Sequence, residues 1–442
     1  MESNSPSKIS KTANCRSKPN DLTDSDSSDS TASSIEIKVH HKHSEVNRMK
    51  HVNPSNISLK SSIQSILVLL HNASIIMFCA MFFLAWCIPY LWPFMIYYTL
   101  FKYLFDRTPV NGQSWKRRSE WFRNLPFWKL LIDYYPISLH KLQDLSPTLE
   151  QIEDQVLRDS KLTRTGPKYI FGYHPHGIIA TGVSTGFTNN AAGWTSLFPG
   201  ILCYVTTLVN QFQVPFYRDY LMALGVTTVV KRNLKLLLDR GASIVIVVGG
   251  ARESLMAKPG TNSIVLFRRK GFIRLALESI DEKGVCVVPV YGFGENDIFN
   301  VFSTDEFIKS EKKNKDEGEF ESQNSSHHSN IVLKNLLVKI KKLIYNFQMF
   351  LKNRYGWTLP IVISRGVFNH DFGILPYRKP IRVVFGKPIK ITRLHGRKID
   401  DEITDDEVDY WHQKYIEGLY EVWDYGKNKF DLHDQQELEI IQ

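Results

Sequence analysis

The chain of 442 residues carries only five cysteines (Cys15, Cys79, Cys87, Cys203 and Cys286), and no two of them form a CxxC pair. Their scatter, with two inside an apolar stretch, excludes a disulfide framework and a cysteine-built metal centre, and it fits a reduced, cytosol-facing catalytic region. No GxxxxGKS and no GxGxxG occurs, so neither nucleoside triphosphate hydrolysis nor a dinucleotide cofactor is indicated. Zinc-finger, homeodomain and RNP-like patterns are missing as well. The net charge of +10 is therefore read toward anionic lipid or an acidic substrate, with no nucleic-acid partner. A cleavable secretory signal is also lacking, because the first long apolar run starts deep in the chain without a small-residue cleavage site.

Charge is absent from the whole run Ala73 to Phe101, which is longer than the ~20 residues a helix needs to cross a bilayer. Membrane insertion is expected. Pro89 and Pro93 interrupt the run, and proline kinks or ends a helix. Basic residues flank both ends: Arg48, Lys50 and Lys60 before it, Lys102, Arg107, Lys116, Arg117 and Arg118 after it. Cationic flanks stay cytosolic, so both ends belong on one side, and 59–105 reads as a re-entrant hairpin or two short passes. A buried core hairpin of a soluble protein is the alternative.

Residues 1–58 are rich in Ser, Asp, Asn and Lys with almost no apolar periodicity, a composition that leaves chain entropy uncompensated; a disordered tail is expected. The charged, low-complexity segment 303–330 reads as a disordered surface insertion, and its His327 and His328 as solvated residues without a third metal ligand. Over 331–353, Leu336, Ile340, Leu343 and Phe347 share one helical face and Lys334, Lys341 and Lys342 the other. Such a basic amphipathic helix suits the headgroup layer or the face of a sheet.

Within 106–442 the pattern changes to short apolar runs. KYIFGY, SIVIVV, VCVVPVY, LPIVIS and IRVVFG read as buried strands, with LKLLLDR and GFIRLALESI as helices between them. The expected class is α/β, a central and largely parallel sheet with flanking helices.

Polar residues gather where three of these strands end. His174 and His176 follow KYIFGY, and Pro175 with Gly177 ends the strand. An imidazole of ordinary pKa, about 6.5, accepts a proton at neutral pH. Taken alone, an HxH pair is equally a metal-ligand pair or two satisfied core residues. SIVIVV runs into Gly249, Gly250, Arg252 and Glu253, and VCVVPVY into Gly294, Glu295 and Asn296. Each is compatible with an ordinary strand-to-helix turn, yet three polar strand ends on one sheet suggest one site. Arg218, Arg252, Arg269 and Arg274 are among many cations suited to phosphate or to solvent. A competing motif, Gly182-Val183-Ser184-Thr185-Gly186, matches the nucleophile elbow of serine hydrolases, but only Ile178 to Thr181 separates it from the histidines, too little for the strand an elbow requires.

Taken in order, these blocks resemble the type 2 diacylglycerol acyltransferases, in particular the yeast-type members. The resemblance runs from about Trp92 to Gln442 outside the 303–330 insertion. It rests on the HPHG block His174-Pro175-His176-Gly177, on Arg269-Lys270-Gly271-Phe272-Ile273-Arg274 followed by Val288-Pro289-Val290, and on PGI (199–201), VPFYRDYLMALG (214–225), VVGGARESL (247–255), FGEN (293–296) and ELEII (437–441). Tyr134-Tyr135-Pro136 stands where animal relatives have Tyr-Phe-Pro, and the spacing from Ala276 to Val288 is slightly long. The wider superfamily follows its histidine five residues later with aspartate; here 179 is Ile and 181 is Thr.

The resemblance implies acyl transfer from acyl-CoA, a co-substrate, to diacylglycerol, with no metal or other cofactor. It implies His176 as base, His174 as an orienting residue and Glu253 as the carboxylate holding the imidazole tautomer. Pro175, Gly177, Gly249, Gly250, Arg252, Arg218, Arg269, Gly271, Phe272, Arg274, Glu295 and Asn296 would contact substrate. Location at the endoplasmic reticulum membrane and lipid droplet, catalytic region toward the cytosol, goes with it, as does contact with membrane lipid; homo-oligomerisation is left open. Monoacylglycerol, a fatty alcohol or a sterol are alternative acceptors. A serine lipase using Ser184, or a non-catalytic lipid-droplet anchor, are the readings of another class.

Overall fold

Runs of Val, Ile and aromatic residues bounded by glycine or polar turns become strands here, as their shape and burial dictate. The computed structural model describes residues 58–149, 164–254, 256–302, 361–366, 373–394 and 396–441, with five further helical positions between 339 and 350. The expected tail (Ser58 apart), the 303–330 insertion and most of the 331–353 helix lie outside the described residues.

The strands are β1 (Ser138–Lys141), β2 (Lys168–His174), β3 (Cys203–Thr207), β4 (Val226–Thr228), β5 (Ser243–Val247), β6 (Ser263–Val265), β7 (Val285–Phe293), β8 (Asn300–Phe302), β9 (Ile361–Ile363), β10 (Arg382–Phe385), β11 (Ile389–Ile391) and β12 (Glu439–Ile441). Seven of them run in the order β1-β10-β7-β2-β5-β3-β4, with β11 also on β7. The block from β7 to β4 is parallel, and β2 and β7 are buried along their whole length, as a sheet covered on both faces requires.

Beyond β7 the expected parallel order gives way. IRVVFG supplies β10, which pairs antiparallel with β7, and LPIVIS supplies β9, which leaves the central sheet for a two-stranded ribbon with β8. Pro289 accounts for a break at this edge. It has no N–H to donate, and it falls between the last β10 pair, Phe385 with Val290, and the first β11 pair, Ile389 with Val287. Gly386 donates its N–H to the Pro289 carbonyl at 2.8 Å across the gap.

Alternation along β2 sorts the two cores. Tyr169, Phe171 and Tyr173 enter an aromatic cluster with Phe187, Trp194, Phe198 and Phe385, under the helix Phe127–Tyr134. Ile170 faces the other side, covered by the helices Gly271–Glu278 and Asp405–Lys429. The latter starts on a capping box, Thr404 with Glu407, and buries Val408, Tyr415, Leu419, Val422 and Trp423 at helical spacing. The strand β12 lies parallel to β6 in a separate pair.

The segment 59–105 divides into unlike parts. Helix α1 (Leu59–Asn72) buries Val68 in the first core and exposes Leu59, Ile63, Ile66 and Leu70. It meets α2 (Ser74–Trp86) at 72°. After Pro89 the chain turns back as α3 (Trp92–Leu100). Among the described residues no single helix is long and apolar enough to cross a membrane, and only α1 and α2 together would pass by length and composition. The roots of α2 and α3 are held by polar bonds: His71 to the Tyr220 hydroxyl at 2.7 Å, and the Tyr98 hydroxyl donating to Asp219 at 2.7 Å. Phe83, Leu84, Tyr90, Phe94 and Tyr97, farther along, stand exposed.

Candidate active site

Parallel strands deliver their C-terminal ends to one edge, and there the order of this sheet places β2 between β5 and β7. Chain connections leave β2 for one side and β7 sits on the other, the arrangement that opens a crevice beyond the strand ends. Three of the sequence blocks meet there: the HPHG turn after β2, Gly249 to Glu253 after β5, and Glu295 after β7.

The two histidines have different surroundings. His174, the last residue of β2, is fully buried, and its Nε2–H donates to the Tyr415 hydroxyl at 3.0 Å. Tyr415 in turn donates to the Gly172 carbonyl at 2.9 Å. Gly172 is required at that position, since a Cβ would stand 2.1 Å from the Tyr415 oxygen. Burial, aided by nearby His412, lowers the His174 imidazole to about 3, so it is neutral. Its Nδ1 has no partner among the described residues.

His176 is only partly buried, after a cis His174–Pro175 peptide. Its Nδ1–H donates to the Gly177 carbonyl at 3.0 Å, which leaves the Nε2 lone pair as acceptor. Burial holds this imidazole below its ordinary pKa, with the Gly177 bond opposing. The result is a neutral imidazole with its basic nitrogen defined.

Glu253 reaches the block by a route other than the one expected. Its Oε2 accepts the His176 backbone N–H at 2.7 Å and its Oε1 the Val265 N–H at 2.6 Å. The tautomer is set by the Gly177 carbonyl, and the carboxylate fixes the backbone beneath the ring. Gly249 makes room for it, because a Cβ there would stand 1.8 Å from the Glu253 carboxyl carbon. Glu295 does the same on the β7 side. It accepts the N–H of Thr181 at 2.6 Å, the N–H of Gly182 at 2.8 Å and the Tyr173 hydroxyl at 2.7 Å. Burial pushes both carboxyls up to about 7 against these donors.

The remaining residues divide. Pro175 and Gly177 are buried in the turn, and Gly250 holds a left-handed φ of 61° with open space where a side chain would begin. Arg252 and Arg269 are exposed. Arg218, however, is 3% exposed and paired with Asp106 at 2.9 Å, and Arg274 pairs with Asp405. Gly271 opens a helix and Phe272 packs its ring on Tyr415, 4.7 Å between centroids. Asn296 donates to the Thr261 carbonyl at 2.8 Å. Tyr415 and Tyr173 escaped the sequence reading; each lies in a stripe or alternation that reads as core.

Ser184 lies inside a short helix, Thr181–Gly186, and its hydroxyl donates to the Thr181 carbonyl at 3.3 Å. A strand-turn-helix elbow is not formed, and among the described residues no imidazole bonds this serine. Nor do any three His, Cys, Asp or Glu side chains gather as metal ligands there.

The family model described as diacylglycerol acyltransferase matches residues 83–317 and 326–441. The chain is 36% identical over 417 residues to diacylglycerol O-acyltransferase 1 of Eremothecium gossypii, covering 89% of this chain and 81% of that one. It is 35% identical to the Saccharomyces cerevisiae protein of the same name, over 86% of each chain. A 2-acylglycerol O-acyltransferase 1 of Bos taurus is 32% identical, over 87% of this chain and 97% of its own. No solved structure gives a significant match.

Proposed function

From membership of the diacylglycerol acyltransferase family, to which this chain belongs, we propose that it moves a fatty acyl group from acyl-CoA to the free hydroxyl of diacylglycerol, giving triacylglycerol, with His176 as the base. The reading is carried by one observation: Nδ1–H of His176 is tied to the Gly177 carbonyl and Nε2 is left to accept.

The chemistry asks for little more. A lipid hydroxyl is a poor nucleophile until its proton is removed, whereas the thioester already carries a good leaving group. As the hydroxyl oxygen attacks the thioester carbon, its proton passes to Nε2. When the tetrahedral intermediate collapses, the C–S bond breaks and the imidazolium gives that proton to the departing thiolate, leaving a neutral imidazole and free coenzyme A. The amides of Thr181 and Gly182 are already occupied by Glu295, so stabilisation of the oxyanion falls to backbone N–H groups near Gly177 or Gly250. No cofactor enters these steps.

The apolar tip from α2 to α3 serves in this reading as a re-entrant membrane anchor. The exposed Phe83, Leu84, Tyr90, Phe94 and Tyr97 support it, since apolar patches of that kind mark membrane or protein contacts. The endoplasmic reticulum membrane and lipid droplet, with the sheet edge toward the cytosol, are the inferred location. The acceptor would arrive from lipid and the donor from water.

The test is reconstitution in lipid vesicles with labelled acyl-CoA and diacylglycerol, monoacylglycerol, fatty alcohol or sterol. Triacylglycerol should be the main product, and His176→Ala should lower the rate by about 10²- to 10⁴-fold while Ser184→Ala stays close to wild type. Loss of activity in Ser184→Ala with His176→Ala intact would sink the mechanism.

A further inference from the structure

A recess apart from the HPHG turn lies between the first helix and the helix Phe127–Tyr134. It measures about 660 Å³ and is lined by α1 (Lys60, Ser61, Gln64), by Lys129 and Asp133 of the helix Phe127–Tyr134, and by Ser138 and Arg378.

Its charge is out of balance. Lys60 and Lys129 reach the single carboxylate, Asp133, at 3.6 Å and 2.9 Å while both remain more than half exposed, at 65% and 63%. Arg378 is held by neutral groups, donating to the Gln64 side chain at 2.7 Å and to the Ser61 carbonyl at 2.9 Å. Behind it Arg365, 7% exposed, donates to the Ser65 hydroxyl at 2.8 Å, and its Nε has no partner among the described residues. Both guanidinium groups lie over the Tyr134 ring, at 4.3 Å and 5.6 Å. Among the described residues neither arginine meets a carboxylate. Desolvated cations are ordinarily paired, and guanidinium groups presented by neutral neighbours suit phosphate.

The sheet fixes where this recess stands. Ser138 pairs with Arg382, and Arg382 with Phe293, the last residue of β7. On β7, His174 pairs with Tyr291, two residues earlier, so Ser138 stands two residues beyond the level of His174, at the edge where β2 ends. Three interstrand steps separate β1 from β2, a span of about 14 Å at roughly 4.8 Å per step. The helix Thr181–Gly186 that follows the HPHG turn packs against the helix Phe127–Tyr134 that walls the recess.

We propose that this recess binds the phosphates of the acyl-CoA donor, with the pantetheine arm running along the sheet edge to bring the thioester to His176. The assignment rests on the acyl-transfer reading above and moves the phosphate contacts from Arg218 and Arg274, which are committed to carboxylates, to Lys60, Lys129 and Arg378. The same phosphate chemistry also belongs to an anionic lipid headgroup, which the exposed side of α1 could bring within reach.

The experiment uses the full chain in lipid vesicles, as wild type and as the double charge reversal Lys60→Glu/Lys129→Glu, with acyl-CoA and with acyl-pantetheine, which lacks the nucleotide phosphates. The reversal should raise KM for acyl-CoA about tenfold, leave kcat and the KM for diacylglycerol near wild type, and make little difference with acyl-pantetheine. Lys60→Gln/Lys129→Gln should give a smaller rise in the same direction. An equal loss with both donors overturns the proposal, because the effect then does not pass through phosphate. So does an unchanged KM for acyl-CoA accompanied by lost binding to vesicles containing phosphatidic acid, which assigns the recess to lipid. A wild type that acylates no acceptor overturns the acyl-transfer reading instead; equilibrium dialysis of free coenzyme A against wild type and the reversal then decides the recess by itself.

Discussion

Two regions one residue apart on the chain meet opposite environments. The His174 side of β2 looks into the second core, where the ring meets Tyr415 and is held neutral by burial. The His176 side looks out over the sheet edge, where the ring keeps one nitrogen for a carbonyl and leaves the other open. Identical side chains thus take up different work because strand alternation ends at one and a turn begins at the other. An HxH pair at a strand end can thus set one ring in the core and the other at the sheet edge, instead of aiming both at one metal.

The buried side should respond most strongly to substitution. Gly172→Ala would set a Cβ 2.1 Å from the Tyr415 hydroxyl and should cost about 3 kcal/mol of stability, in the range of overpacked cores, read as a lower thermal midpoint in lipid nanodiscs. Activity per folded molecule should fall less than stability does. A variant of normal midpoint and abolished turnover would give His174 a direct part in the chemistry. Tyr415→Phe is gentler. It removes the hydroxyl that joins His174 to the Gly172 carbonyl and should destabilise by about 1–2 kcal/mol, again without a matching loss of kcat.

The smallest effect is expected with pH at His176, which is partly buried. Burial holds the His176 imidazole below its ordinary value, and a base works only in its neutral form. The acid limb of kcat/KM should therefore fall below about pH 6.5, and activity should be lost as pH drops through that depressed value. An acid limb above the ordinary histidine value would contradict the burial of this ring.

Much of this edge was legible in the chain. The three apolar runs ending in Gly249-Gly250, Gly292-Phe293-Gly294 and the HPHG block read as buried strands with tight exits, and a parallel sheet collects their ends. What could not be read was which atoms meet. Tyr415 and Gly172 are separated by 243 positions, and no local periodicity distinguishes a tyrosine that fills a core from one that reaches through a missing side chain. Arg218 shows the same limit from the other direction: a buried ion pair with Asp106 and a phosphate contact require the same residue type. Glu253 was found at the right place with the wrong contact, because sequence marks a carboxylate near an imidazole but not whether it meets the ring or the backbone beneath it. The antiparallel turn of β10 and the departure of β9 depend on tertiary pairing alone.

The pairing of β12 with β6 bears on the order in which the protein is made. Val265, at the end of β6, lies opposite Ile441 and donates its amide to Glu253, whose other oxygen holds the amide of His176. During synthesis the HPHG turn emerges long before residues 439–441, so β6 lacks its partner strand until those residues have left the ribosome. The strand whose amide holds Glu253 therefore gains its neighbour last, and the pair β6 with β12 is complete only once that stretch has been released.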